Sequence, residues 1–409
     1  MKYLFCMLAF LGAFHTINAQ RVNLSQVYDD IEYLSSDYLE GRGTSEPGEE
    51  KTVRFVSSQF KKIGLTPMGN DKYYYHFQFK KSKNPHETEA ISGKEYEAAN
   101  VIGFLDNGAP YTVVIGAHHD HLGFGHDHNS LDPNPIGKIH NGADDNASGV
   151  AGVLALAEYF ANNDIIEKNN FLFMTFSGEE LGLVGSKKWC ENPTYPLNKI
   201  NYMLNMDMIG RLNDSTKKLL IYGIGTSDVW KETIEKNNQY FSIKYDSAGV
   251  GPSDQTSFYL KDIPVLHFFT GQHSDYHKPS DDIEKINIEG EVQVLELMIN
   301  IIHSLDDNEK LKFYKTANSE SNKVSFKVTL GIMPDYVFEG KGLRIDGVTD
   351  GKPASKAGIQ QGDIITQFNQ YKVENVNDYM EALSHFKKGD KVKIIILRGT
   401  ETLEKEVEL

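Results

Sequence analysis

Short apolar runs recur between residues 101 and 269, and this recurrence constrains the fold more than any other feature of the chain. Residues 101–105 and 112–115 are rich in β-branched side chains, and 171–176 is an apolar run. Residues 200–206, 219–222 and 265–269 have the same character. A run that does not alternate with polar residues predicts a strand covered on both faces. Between the runs, Val150, Val153, Leu154, Ala157 and Phe160 recur at helical spacing within 147–161, and 288–305 reads as a long closing helix. Strands alternating with helices predict an α/β domain, a mostly parallel mixed sheet with helices on both faces. Such sheets gather ligands outside the carboxyl ends of their strands.

The residues at those ends are imidazoles and carboxylates. His118 ends one run, Glu179 and Glu180 follow the next, Asp207 follows a third, and His277 lies beyond 265–269. Asp144 precedes the 147–161 helix. Asp207 is notable alone, because it is flanked by Met206, Met208 and Ile209 and an unpaired carboxylate in an apolar strand is costly. Two imidazoles with three carboxylates suit two divalent cations about 3.5–4 Å apart. His118 and Asp207 suit one cation, Glu180 and His277 the other, with Asp144 shared between them. Asp145 and Asn146 read as helix-capping or supporting residues. Asp120, two residues beyond His118, is placed to accept its second ring N–H. Glu179 is spare beside a ligand, where a general base is needed. Together these residues point to a hydrolase.

The rest of the chain sets bounds. Lys2, an apolar run over 3–14 and the small-residue end Asn18-Ala19-Gln20 predict a secretory signal peptide over 1–19, and so a periplasmic or secreted protein with no membrane-spanning segment after cleavage. Cleavage removes Cys6 and leaves Cys190 alone, so no internal disulfide is expected and Cys190 is read as a packing residue. A net charge of -15 argues against nucleic acid as a partner. Residues 22–64 predict two helices broken at Glu40-Gly41-Arg42-Gly43, and 73–79 predict a strand. The His- and Asp-rich stretch 121–140 reads as a substrate-facing or solvated loop, and the polar, charged stretch 81–98 as a surface loop.

Five strings of this chain resemble the M28 metallopeptidases, the di-zinc aminopeptidase family. They are Gly116-Ala117-His118-His119-Asp120-His121, Gly142-Ala143-Asp144-Asp145-Asn146-Ala147-Ser148-Gly149-Val150, Ser177-Gly178-Glu179-Glu180-Leu181-Gly182-Leu183-Val184-Gly185-Ser186, Asn205-Met206-Asp207-Met208-Ile209-Gly210 and Tyr276-His277-Lys278-Pro279-Ser280-Asp281. The resemblance runs from about residue 25 to 305. It implies two zinc ions on His118, Asp144, Glu180, Asp207 and His277. It also implies Glu179 as general acid and base, Asp120 as the partner of His118, and peptide substrates. His119 stands where the family often carries Tyr or Leu. Ser253-Asp254-Gln255 falls near the pocket by the same resemblance. The activity implied is removal of N-terminal residues from peptides. Glutaminyl cyclase, carboxypeptidase or dipeptidase chemistry on the same fold is the alternative, as is a peptide-binding scaffold without catalysis.

The domain plan is therefore a signal peptide (1–19), a peptidase domain (20–306), a polar linker (307–322) and a small β-rich domain (323–409). The last resembles a PDZ domain. Its marks are Leu330-Gly331-Ile332-Met333 as a carboxylate-binding loop, the stretch 342–348, Pro353-Ala354-Ser355-Lys356-Ala357-Gly358-Ile359 and Gly362-Asp363-Ile364-Ile365. The resemblance implies that a peptide or protein terminus could add to its open edge.

Overall fold

The structure, a computed structural model, describes residues 21–81, 95–127, 129–307, 309–316, 328–334, 338, 340–348, 351–374 and 376–409. The signal-peptide reading of 1–19 lies outside these residues, as do most of the polar stretch 81–98 and the second half of the expected linker.

Two helices open the chain. Helix α1 (Leu24–Leu34) begins where the Asn23 side chain accepts the N–H groups of Ser25 and Gln26. Helix α2 (Pro47–Ile63) starts on a proline that needs no N–H partner and stops at Gly64, whose φ of 93° few other residues adopt. The expected break between them is a short 3-10 turn, Asp37–Arg42. Gly41 there has φ 69°, and a Cβ on it would lie 2.6 Å from the His140 carbonyl oxygen. Only glycine lets the two segments approach this closely.

Among the described residues the sheet has nine strands: β1 (Thr66–Pro67), β2 (Tyr74–Phe79), β3 (Tyr96–Leu105), β4 (Tyr111–His118), β5 (Asn169–Phe176), β6 (Ile200–Met206), β7 (Lys218–Tyr222), β8 (Ser242–Tyr245) and β9 (Val265–Phe269). Their order is β1-β3-β5-β4-β6-β9-β7-β8, with β2 on β3. The middle four strands, β5, β4, β6 and β9, are mutually parallel, and antiparallel pairings join β3 to β5 and β7 to β9. The sheet is thus mixed, with the parallel ladder at its centre.

Both faces are covered. On one side Val113, Ile115, Phe171 and Phe173 pack with α1, α2, α3 (Gly149–Asn162), α5 (Trp230–Asn237) and α7 (Ile288–Leu305). On the other, Val114, Leu172, Met174 and Phe176 meet Trp189 and Cys190 of α4 (Val184–Glu191) and Phe258 of α6 (Gln255–Tyr259). Alternate residues of one strand thus serve opposite layers, which explains the unalternating apolar pattern. Cys190 is a packing residue as expected, and burial pushes its thiol up to about 12.

Register aligns the strand ends. His118 is level with Phe176, Gly116 with Asn205, and Met206 with Phe268. The residues just past these ends therefore meet at one edge of the sheet.

The described part of the expected linker, 309–316, packs against the first unit. Leu311 is buried in the first core, its N–H donates to Asn201 Oδ1 at 2.7 Å, and Phe313 packs on the second core. Tyr314 N–H donates to the Thr226 carbonyl at 2.8 Å. The segment looks polar in sequence because its apolar contacts are only two residues wide.

The C-terminal unit has its own core, including Leu330, Leu343, Ile345, Phe368 and Ile394. Its strands are β10 (Ile332–Pro334), β11 (Leu343–Val348), β12 (Ile364–Phe368), β13 (Tyr371–Lys372), β14 (Lys391–Arg398) and β15 (Glu401–Glu408), with α8 (Pro353–Lys356) and α9 (Val376–Ser384). The sheet order is β10-β11-β12-β14-β15, with β13 on β12. Among the described residues, β10 pairs with β11 alone.

Candidate metal centre

Loops after the four central strands bring the imidazoles and acids together. His118 Nε2 lies 3.4 Å from Asp145 Oδ1 and 3.4 Å from Asp207 Oδ1. His277 Nε2 lies 3.2 Å from Asp145 Oδ2 and 3.1 Å from Glu180 Oε2. His121 Nδ1 lies 2.8 Å from Glu180 Oε1. Two groups able to hold a metal result, His118/Asp145/Asp207 and His121/Asp145/Glu180, with His277 beside the second.

The shared carboxylate is Asp145, not Asp144 as the sequence suggested. One Asp145 oxygen faces His118 and the other faces His277. Asp144 points away: its Oδ1 accepts the Gly210 N–H at 2.7 Å and its Oδ2 meets His273 Nε2 at 3.1 Å. The backbone leaves helical φ/ψ at Asp145 and Asn146, and the two neighbouring acids face opposite sides, so only one of the pair faces the sheet edge. Asn146, in contrast, supports the loop as expected, accepting the Gly149 N–H at 2.9 Å.

Asp120 supports the site by a different route from the one expected. The His118 Nδ1 partner is the Asp120 main-chain carbonyl, at 3.1 Å, while the carboxylate stands 3.8 Å away. That carboxylate instead accepts the Glu179 N–H at 3.0 Å and the Thr44 hydroxyl at 2.8 Å. It therefore fixes the backbone that carries Glu179 and Glu180.

Charge is concentrated here. Burial alone would lower the pKa of His118, but Asp207 and Glu179 carry it well above the usual value. Burial alone would raise Glu180, but His277 and His121 hold it down to about 2. Glu179 is raised well above the carboxylate range, chiefly by burial. His118 Nε2 is buried and has no hydrogen-bond partner among the described residues. An orphaned imidazole nitrogen aimed between the buried Asp145 and the partly buried Asp207 is the donor set a divalent cation takes, and without such a charge Asp145 would be costly to bury. The residues present fit a metal.

Residues 100–302 match the profile of peptidase family M28, and residues 302–409 match that of the PDZ domain. Residues 100–302 are a peptidase family M28 domain. Among curated relatives, leupeptin-inactivating enzyme 1 of Streptomyces exfoliatus is 33% identical over 150 residues, 35% of this chain and 32% of that protein. The chain spans about a third of the length of the curated relatives it matches. A zinc aminopeptidase from Bacillus subtilis shares the fold at TM-score 0.55 and 16% identity, over 72% of this chain and 98% of that one. Glutaminyl cyclase from Bacteroides thetaiotaomicron, bound to N-acetylhistamine, shares it at TM-score 0.56 and 16% identity, over 71% and 100%. Identities this low show the fold alone.

The M28 unit is braced by residues that sequence reasoning missed. Arg42, read only as part of a break, is fully buried. It donates to the carbonyls of His119 (2.9 Å), Leu34 (2.6 Å), Asn141 (2.5 Å) and Gly142 (2.9 Å). One guanidinium thus ties the opening helices to both the His118 loop and the Asp145 loop. Asp281 Oδ2 accepts the N–H groups of Asp144 and Asp145, each at 3.0 Å. The only sequence signal for Arg42 is a cation amid glycines, a pattern shared by many surface turns.

The stretch 121–140 also differs from expectation, because it grips a ligand candidate. Asn129 O accepts from His277 Nδ1 at 2.8 Å, Leu131 N–H donates to the His277 carbonyl at 2.9 Å, and Ser130 Oγ donates to the same carbonyl at 3.1 Å. His140 is buried and holds Ser130 at 2.7 Å.

Two further features flank the acids. Met208, Leu220, Tyr222 and Phe269 form a buried apolar cluster with Tyr276 packed on it, and Tyr276 stacks on His277 with ring centroids 3.9 Å apart. Asp254 is fully buried, neither carboxylate oxygen has a hydrogen-bond partner among the described residues, and burial pushes it up to about 7.

In the PDZ unit, Leu330 is a core residue and its carbonyl accepts the Ala354 N–H at 2.9 Å. Gly331 has φ 70°, and Ile332 and Met333 enter β10, the edge strand. The expected loop is therefore adjacent to an edge with one partner strand.

Proposed function

We propose that this protein is an exported aminopeptidase that holds two zinc ions and hydrolyses N-terminal residues from peptides. The observation that carries this reading is Asp145, whose two oxygens face separate imidazole–carboxylate sets. His118 and Asp207 would hold one cation, and Glu180 with His277 the other, sharing Asp145. When bound, such a pair polarises a carbonyl oxygen and brings the pKa of water towards neutrality.

The chain's own residues then have defined tasks. Glu179 takes the proton of the attacking water on its carboxylate and delivers it to the leaving amine. Asp120 holds the Glu179 backbone still while it does so. Beyond the effect of burial, Asp207 raises the pKa of both Glu179 and Asp254, and a substrate ammonium among these acids would favour the ionised forms, which supports a preference for free N-termini. The apolar cluster ending in Tyr276 and Met208 lies one residue from His277 and from Asp207, which supports an apolar side chain at the substrate's first residue.

Export rests on the N-terminal pattern of residues 1–19, and sequencing the mature N-terminus tests it. The edge strand β10 supports capture of a peptide or protein terminus by the PDZ unit.

Peptides with free, acetylated and N-terminal glutaminyl ends test the activity. Release of the first residue from the free set alone supports aminopeptidase action. Equal cleavage of acetylated peptides overturns it, and ring closure of the glutaminyl peptide without hydrolysis assigns the cyclase reaction instead.

A further inference from the structure

We propose that His121 is a positioning residue that donates its Nδ1–H to Glu180 Oε1 and so fixes which oxygen of Glu180 faces the second cation. This rests on the two-cation reading above.

The three imidazoles at the sheet edge are not used alike. His118 and His277 each place Nδ1 against a main-chain carbonyl, Asp120 O and Asn129 O. In each, Nδ1–H donates to that carbonyl, and Nε2 is the nitrogen turned towards the acids. His121 turns Nδ1 itself to the acid, 2.8 Å from Glu180 Oε1, and its Nε2 is buried with no hydrogen-bond partner among the described residues.

A neutral imidazole has one N–H. On Nε2 it would be a buried donor without an acceptor, and a bare Nδ1 lone pair would face a carboxylate oxygen at contact distance. On Nδ1 it makes a charge-assisted hydrogen bond and leaves only a weak acceptor unsatisfied. The second arrangement wins. With Oε1 occupied by His121, Oε2 is the oxygen left beside His277 Nε2, at 3.1 Å.

His121 is itself locked. Its N–H donates to the Arg42 carbonyl at 3.0 Å, and its ring abuts Gly142 so closely that a Cβ there would lie 2.5 Å from His121 Cδ2. The Glu180 main chain, by contrast, is held among the described residues by two long hydrogen bonds, its N–H donating to Asp120 Oδ2 at 3.4 Å and its carbonyl accepting from Asn129 Nδ2 at 3.5 Å. The side chain therefore depends on His121 for its orientation.

The test is zinc affinity of the full chain, measured by chelator competition, in wild type, His121→Asn, His121→Gln and His121→Leu, with folding checked by circular dichroism. The Asn side-chain amide places its N–H near the position of Nδ1. His121→Asn should keep both affinities within a few-fold, while His121→Leu and His121→Gln weaken one zinc by about ten- to a hundredfold and leave the other unchanged. If His121→Leu does not fold, the Asn–Gln comparison gives the same reading. Two zinc ions bound as tightly in His121→Leu and His121→Gln as in wild type overturn this inference alone. Equal loss in His121→Asn and His121→Gln also overturns it, because His121 is then a ligand in its own right. Wild type that takes up no zinc overturns the two-cation reading itself.

Discussion

Asp144 and Asp145 are the same amino acid in adjacent positions, and their surroundings give them separate work. Asp144 ties to Gly210 and His273, whereas Asp145 stands between His118 and His277. If two zinc ions are held as proposed, Asp145→Asn should therefore lower the affinity for both, by more than about a hundredfold, since the charge shared between them is lost. Asp144→Asn should keep two zinc ions per chain and show its cost in thermal stability. Metal analysis after dialysis against a weak chelator separates the two. Glu179 has a different duty, so Glu179→Gln should keep its zinc and lose turnover by about 10²–10⁴-fold. The acids of this site were legible as residue types, because a carboxylate in an apolar setting must have a partner. Which member of Asp144-Asp145 faces inward was not, because no periodicity applies in a stretch that is neither helix nor strand.

Elements set these positions through the sheet register and two braces. The strands and the closing helix, Ile288–Leu305, were legible from apolar patterning because each is long enough to display its period. The braces were not: Arg42 acts through main-chain carbonyls, and the 121–140 stretch acts through Asn129 and Ser130, residue types common in any loop. Helix α1 carries its own cost. Asp30 lies on the buried side of that helix, and burial pushes its carboxyl up from 3.8 to about 6, partly offset by the Gln26 amide. The folded state thus holds this proton more tightly than the unfolded state. The resulting penalty is absent below about pH 4, grows as pH rises to about 6, and then stays constant at up to about 3 kcal/mol. Asp30→Asn keeps the Gln26 hydrogen bond and should raise the melting temperature at pH 7 but not at pH 4, as read by calorimetry.

At the scale of the whole molecule, the division into an M28 unit and a PDZ unit was legible from the composition change near residue 324. The extent of the first unit was harder to see. Leu311, Phe313 and Tyr314 pack back onto it, beyond the end of α7. A chain ending at Asp306 should be less stable than one ending at Thr316 by about 3 kcal/mol, the burial of two large apolar side chains, and chemical denaturation of the pair measures it.

The stretch from 121 to 140 has one more implication. A flap that opened to admit a substrate would have to release His277, because three contacts join them. Traffic of peptides past the acids must therefore proceed with that wall standing still, and turnover should be insensitive to cross-links that staple it in place.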